Sequence, residues 1–182
     1  MRPPTPTVRT APPEKPASVR VVEQNPDFCC ATIDRVVALV WNHPPETAAL
    51  EEALGLVGAL GAEIPGGAGL LVVLRVRGGP GDAALFGNRA AARLELSRGA
   101  ILAVATVIGG DGLFALIDRL PLQLGSRLAR GHQRCFGRPD QASRWLGLML
   151  ERAGTPAPVA LGEAVDWLLG FYSPALPILP SA

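Results

Sequence analysis

The sequence predicts an α/β protein: a mixed β-sheet of about five strands with helices packed against it. Three observations carry that expectation. Short runs rich in β-branched and aromatic residues alternate with stretches of helical period. Two of the runs, around residues 69–76 and 100–108, are apolar almost throughout, as strands covered on both faces are. The first three runs follow one another across short connections, which favours antiparallel pairing, whereas the later runs are separated by helix-sized segments.

Residues 1–18 consist mainly of Pro, Thr, Ala and scattered charge, and this composition predicts a disordered tail. From Val19 the texture changes. The runs "VRVVEQ", "DFCCATID" and "VVALVWNH" read as consecutive strands, divided by Asn25-Pro26 and by Asp34-Arg35. Beyond Pro44-Pro45, the spacing of Leu50, Leu54, Val57 and Leu60 predicts a helix, with Glu46, Glu51 and Glu52 near its positive end. Pro65-Gly66-Gly67 stops it. "GLLVVLRV" is then a central strand, "DAALFGNRAAARLELSRG" a helix reaching Ser97, and "AILAVATVI" a second central strand. Leu113, Leu116, Ile117 and Leu120 make the stripe of a further helix that Pro121 kinks or divides.

"QRCFG" reads as a short edge strand. Pro139 suits a first helical position, and the helix after it sets Ala142, Trp145, Leu146 and Met149 on one face. A final helix is expected over 161–171, inside a Pro-rich C-terminal segment. The expected organisation is a tail at 1–18, an α/β domain at 19–153, and a helix with a second tail at 154–182.

At 182 residues the chain suits one domain of about 100–200 residues. With 48% apolar residues it has ample material for a core. A net charge of +1 supplies no long-range field for nucleic acid, so none is expected as partner. No run has the length of a membrane span without interruption, no signal-peptide pattern opens the chain, and a cytoplasmic location is expected. The cysteines are Cys29, Cys30 and Cys135. Adjacent strand residues point to opposite faces, so Cys29 and Cys30 read as separate buried thiols in a reducing compartment. With His43 and His132 far apart, no zinc site is expected, and no cofactor.

Both apolar strands run into glycine-rich turns, "GGPGD" and "GGDG". Ligands of open α/β sheets sit at the carboxyl ends of strands, which makes these turns the positional candidates for a site. Neither has the Lys and Ser or Thr of a phosphate loop, and Asp82 and Asp111, placed as helix caps, repel an anion. The candidate interaction loops are therefore Gly78, Gly79, Gly81 and Asp82, then Gly109, Gly110 and Asp111 with Leu113 and Phe114, and no catalytic residue is assigned.

The stretch "RCFGRPDQASRWLGLML" resembles the ending of STAS-like domains of the anti-sigma factor antagonist type, at Arg134, Phe136, Ala142, Trp145 and Leu146. The resemblance extends over roughly residues 19–152. It implies a mixed sheet flanked by helices and a non-enzymatic, regulatory role in bacterial signalling through protein–protein contact, with a second copy of the chain left open as a partner. Phosphorylation-controlled members carry Ser or Thr after the central strand. Here "GGPGD" offers Asp82 and no hydroxyl. Two other classes stay open: a carrier of an apolar ligand lined by Leu113, Phe114, Leu116, Ile117 and Leu120, and a hydrolase whose best nucleophile–base pair is Cys29 with His43.

Overall fold

Six strands lie side by side in chain order: β1 (Val19–Gln24), β2 (Phe28–Ile33), β3 (Val36–Trp41), β4 (Ala68–Leu74), β5 (Ile101–Ile108) and β6 (Gln133–Phe136). The computed structural model describes residues 14–43, 46–75, 100–108 and 132–172. The first three strands are antiparallel and the last three run parallel to β3, which gives the expected mixed α/β sheet. The short run "QRCFG" supplies the sixth strand by pairing with β5 through Val104 and Gln133 to Val107 and Phe136. Three helices accompany the sheet among the described residues: α1 (Thr47–Glu63), α2 (Pro139–Arg152) and α3 (Leu161–Phe171).

Period-two alternation divides the sheet into two cores. Phe28, Cys30, Leu39, Trp41, Leu70 and Val72 face α1, which presents Leu50, Leu54, Val57 and Leu60 as its spacing predicts. Cys29, Ala31, Val40, Leu71, Val73 and Ala105 face the opposite side, under α2 and α3. The neighbouring cysteines thus lie in different cores. β3 and β4 are buried at every position, which accounts for their unbroken apolar sequences.

Turn chemistry sets the first hairpins. The Asn25 side chain accepts from the backbone N–H groups of Asp27 and Phe28 at 3.0 and 2.9 Å, an Asx-type turn between β1 and β2. Asp34 supplies the positive φ, 48°, of the two-residue β2–β3 connection. A bulge at Val22 interrupts the β1 ladder and breaks up an otherwise regular edge. The chain leaves α1 through Gly66 and Gly67, both left-handed at φ of 80° and 92°, where an L side chain is strained. Arg35 donates to the Pro65 carbonyl at 2.6 Å and ties this turn to the β2–β3 hairpin.

α2 opens with Pro139 at its first turn, as expected. It closes on left-handed Gly154, with Thr155 N–H donating to the Leu150 carbonyl at 2.9 Å. α3 follows with the bounds its sequence predicts. Although its flanks read as a Pro-rich tail, α3 belongs to the second core, contributing Leu161, Ala164, Val165 and Leu168, with Tyr172 just beyond it. At the other end, Pro16 and Ser18 accept backbone bonds from Val19 and Asp34, so the segment expected to be a tail is joined to the first hairpin by its last residues. The rest of that tail, residues 1–13, lies outside the described residues, as do the helices expected over 83–97 and from Leu113.

Candidate functional site

The parallel strands β3, β4, β5 and β6 end at the same edge of the sheet, and the β1–β2 turn lies at that edge too, because Phe28 pairs with Trp41. Trp41 and Phe28, both fully buried, close the core there with ring centroids 5.1 Å apart. Leu74 pairs with Ile108, so the two glycine-rich sequences depart from neighbouring strands. The candidate residues themselves, Gly78, Gly79, Gly81, Asp82, Gly109, Gly110, Asp111, Leu113 and Phe114, lie outside the described residues.

A polar group of residues gathers along the same edge from four separate parts of the chain. His43 Nε2 lies 3.0 Å from Asp27 Oδ1, with both side chains about half exposed. Arg75, the first residue past β4, points its guanidinium at the C-terminus of α3. Its Nη1 donates to the Tyr172 carbonyl at 2.6 Å and its Nη2 to the Leu169 carbonyl. A cation there satisfies orphan carbonyls and complements the helix dipole. Burial draws the Arg75 pKa below its ordinary value, and the neighbouring Tyr172 opposes that shift. The Tyr172 hydroxyl donates to the Asn25 carbonyl at 2.7 Å and is also hydrogen-bonded by the Asn42 side chain. Burial, with smaller contributions from Cys29 and Asp27, pushes the Tyr172 phenol up to about 12.

This arrangement has two layers. Arg75 and Tyr172 form a latch that fixes α3 to the sheet, the guanidinium through the Leu169 and Tyr172 carbonyls and the phenol through the Asn25 carbonyl. Asp27 and His43 form an exposed rim that can accept and donate hydrogen bonds to something outside. As an exposed pair they contribute only about 0–1 kcal/mol to stability.

The Cys29 and His43 considered for hydrolysis differ in setting. Cys29 is fully buried in the core under Tyr172, and His43 is engaged with Asp27. Burial pushes the Cys29 thiol up to about 11 and Cys135 likewise to about 11. Burial and the nearby Cys29 and Glu23 raise Cys30 to about 12. All three are free thiols, held protonated near neutrality, whereas a nucleophilic cysteine needs thiolate character. The raised values have a measurable consequence. Unfolded thiols release their protons near their ordinary value of 9.0, while the folded ones retain theirs to about 11 or above. The unfolded state therefore binds fewer protons in that interval, so the urea midpoint falls as pH rises from 9 toward 11. At pH 8 a thiol reagent labels the three cysteines slowly in the native protein and rapidly in denaturant. Rapid native labelling of Cys29 would contradict this.

Arg134 lies over the Phe136 ring at 5.5 Å, and Arg138 is paired with Asp140 at 3.0 Å. No group of three or more metal-ligating side chains occurs among the described residues, and no helix there is long and apolar enough to cross a membrane.

Sequence reading assigned no role to Asp27, Asn42 or Arg75. The β2–β3 register brings Asp27 near Asn42 and His43 and is deducible from the two-residue turn. The contact of Arg75 with Tyr172 spans 97 positions and has no local signal. Comparison with protein-family models, with curated proteins and with solved structures returned no match for this chain.

Proposed function

We propose that the chain is a non-enzymatic regulatory or scaffold domain of the STAS-like type, acting in bacterial signalling through protein–protein contact at the carboxyl edge of its sheet. The observation that carries this reading is the pairing of Leu74 with Ile108. The strands that precede "GGPGD" and "GGDG" are thus neighbours, ending at the same edge as the Asp27–His43 rim, on a sheet whose strand order follows the chain. The buried polar groups at this edge hold α3 in place, and the thiols are protonated, which favours recognition over bond-making. Three free thiols suit a reducing cytoplasm. With Asp82 at the position of a phosphorylatable hydroxyl, the edge works without a phosphate switch.

The test compares tagged wild type with Asp82→Arg and Asp111→Arg in affinity capture, using Arg20→Glu on the far edge strand as control. A partner retained by wild type and the control but lost with both loop variants is the expected result. Equal recovery by all four proteins would sink the assignment. Native mass spectrometry of the purified protein checks the carrier alternative, and a retained apolar ligand would overturn the contact reading.

A further inference from the structure

α2 buries one face in the second core and turns the other toward an open groove that it shares with residues 157–162. Ala142, Leu146 and Leu150 go into the second core, while Asp140, Arg144, Gly147, Leu148 and Glu151 recur at helical spacing along the opposite side. That stripe forms one wall of an open groove of about 450 Å³, whose other wall includes Ala157, Pro158, Leu161 and Gly162. Leu148 is 55% exposed and Val159, next to the groove wall, is 86% exposed. Gly147 sits mid-helix, where glycine costs about 1 kcal/mol relative to alanine. Its own chain does not require it, since a Cβ there meets only Ala157 at an ordinary 3.5 Å.

We propose that this stripe is a homodimer interface, in which α2 packs antiparallel against α2 of a second copy about a twofold axis between Gly147 and Leu148. The occupant is identified by self-complementarity. Around that axis, Leu148 of one copy falls on Gly147 of the other, so the exposed side chain packs beside that glycine and the Ala157 that borders it. The same operation sets Arg144 of each copy against Glu151 of the other, which makes two equivalent ion pairs flanking an apolar centre.

Arg144 is already oriented for this. Its Nε and Nη2 donate to the Asp140 carbonyl and carboxylate at 3.2 and 2.7 Å, which holds the side chain along the helix. Glu151 is exposed one turn beyond Leu148. A contact built on one helix of about 21 Å and its adjoining linker is small for a stable interface, so association is expected in the micromolar range. This surface lies on the helical layer and does not depend on the carboxyl-edge reading.

Sedimentation velocity of the full chain is expected to show a concentration-dependent monomer–dimer equilibrium. Leu148→Glu raises the dissociation constant by more than about a hundredfold, with an unchanged circular dichroism spectrum, because Leu148 is outside the core. Arg144→Glu and Glu151→Arg each weaken self-association by at least about tenfold through like charges across the axis. Mixing those two variants restores a dimer. The two substituted side chains, now of opposite sign, then face each other at one end, and a native Arg144 meets a native Glu151 at the other. The double variant also self-associates, because exchanging the charges keeps each facing pair opposite in sign. A wild type that stays monomeric at high concentration overturns the proposal. A dimer that survives Leu148→Glu, or folded single variants that fail to pair when mixed, does the same.

Discussion

Gly69→Val lowers the stability of the fold by about 3 kcal/mol, Leu146→Ala lowers it by about the same amount, and the two together cost no more than either alone. Leu146 of α2 packs directly over Gly69. A Cβ on Gly69 would stand 3.1, 3.2 and 3.3 Å from Cδ1, Cγ and Cδ2 of Leu146. Leu146 is fully buried and belongs to the core that α2 and α3 share, so its retreat disturbs both helices. β4 is hydrogen-bonded on both sides and is equally unable to yield. Valine therefore collides with a side chain that has nowhere to go, and alanine in place of Leu146 leaves a void. In the double variant the valine occupies the space the leucine vacates. Urea unfolding of the four proteins, at unchanged m-value, measures the cycle. Additive losses of about 6 kcal/mol would show that the two positions do not share one volume.

Arg75→Met is expected to cost about 2–3 kcal/mol, through the loss of two charge-assisted bonds to partly buried carbonyls. Methionine keeps most of the aliphatic length, so the change isolates the guanidinium. Arg75→Lys recovers only part of the loss, because one ammonium cannot reproduce the fork that spans the Leu169 and Tyr172 carbonyls. The effect is local before it is global: hydrogen exchange accelerates in the last turn of α3 and leaves the β3–β4 ladder protected. Uniform exchange across both elements would mean that α3 is held by its apolar face alone.

The extent to which sequence foretold this architecture differs by element. α1 and α2 were legible because each carries a single stripe over several turns, and Pro139 marks a start that no strand would tolerate. The antiparallel opening followed from the shortness of its connections. β6 was visible only as an edge, since four residues with alternating exposure give little periodic signal. α3 was readable as a helix through Leu161, Ala164, Val165 and Leu168, but its proline-rich surroundings concealed its place in the core. The latch of Arg75 with Tyr172 was hidden for a different reason. Arg75 reads as the one blemish in an apolar strand, and only the closure of the fold supplies carbonyls for it. The candidate loops were chosen by position and lie outside the described residues, and the register of Leu74 with Ile108 describes only the strands that precede them.

The order in which the strands lie has a bearing on how the molecule is made. Each strand from β2 onward settles beside the one synthesised just before it, and none has to be threaded between two partners already joined. A chain leaving the ribosome can therefore lengthen its sheet progressively, exposing at each stage a single growing margin. The second core waits longer, because α2 and α3 are translated after every strand. Among the described residues only α2 and α3 bring helices onto Ala31, Val40, Leu71 and Ala105, so nascent chains halted before residue 139 should be the form that chaperones hold most tightly.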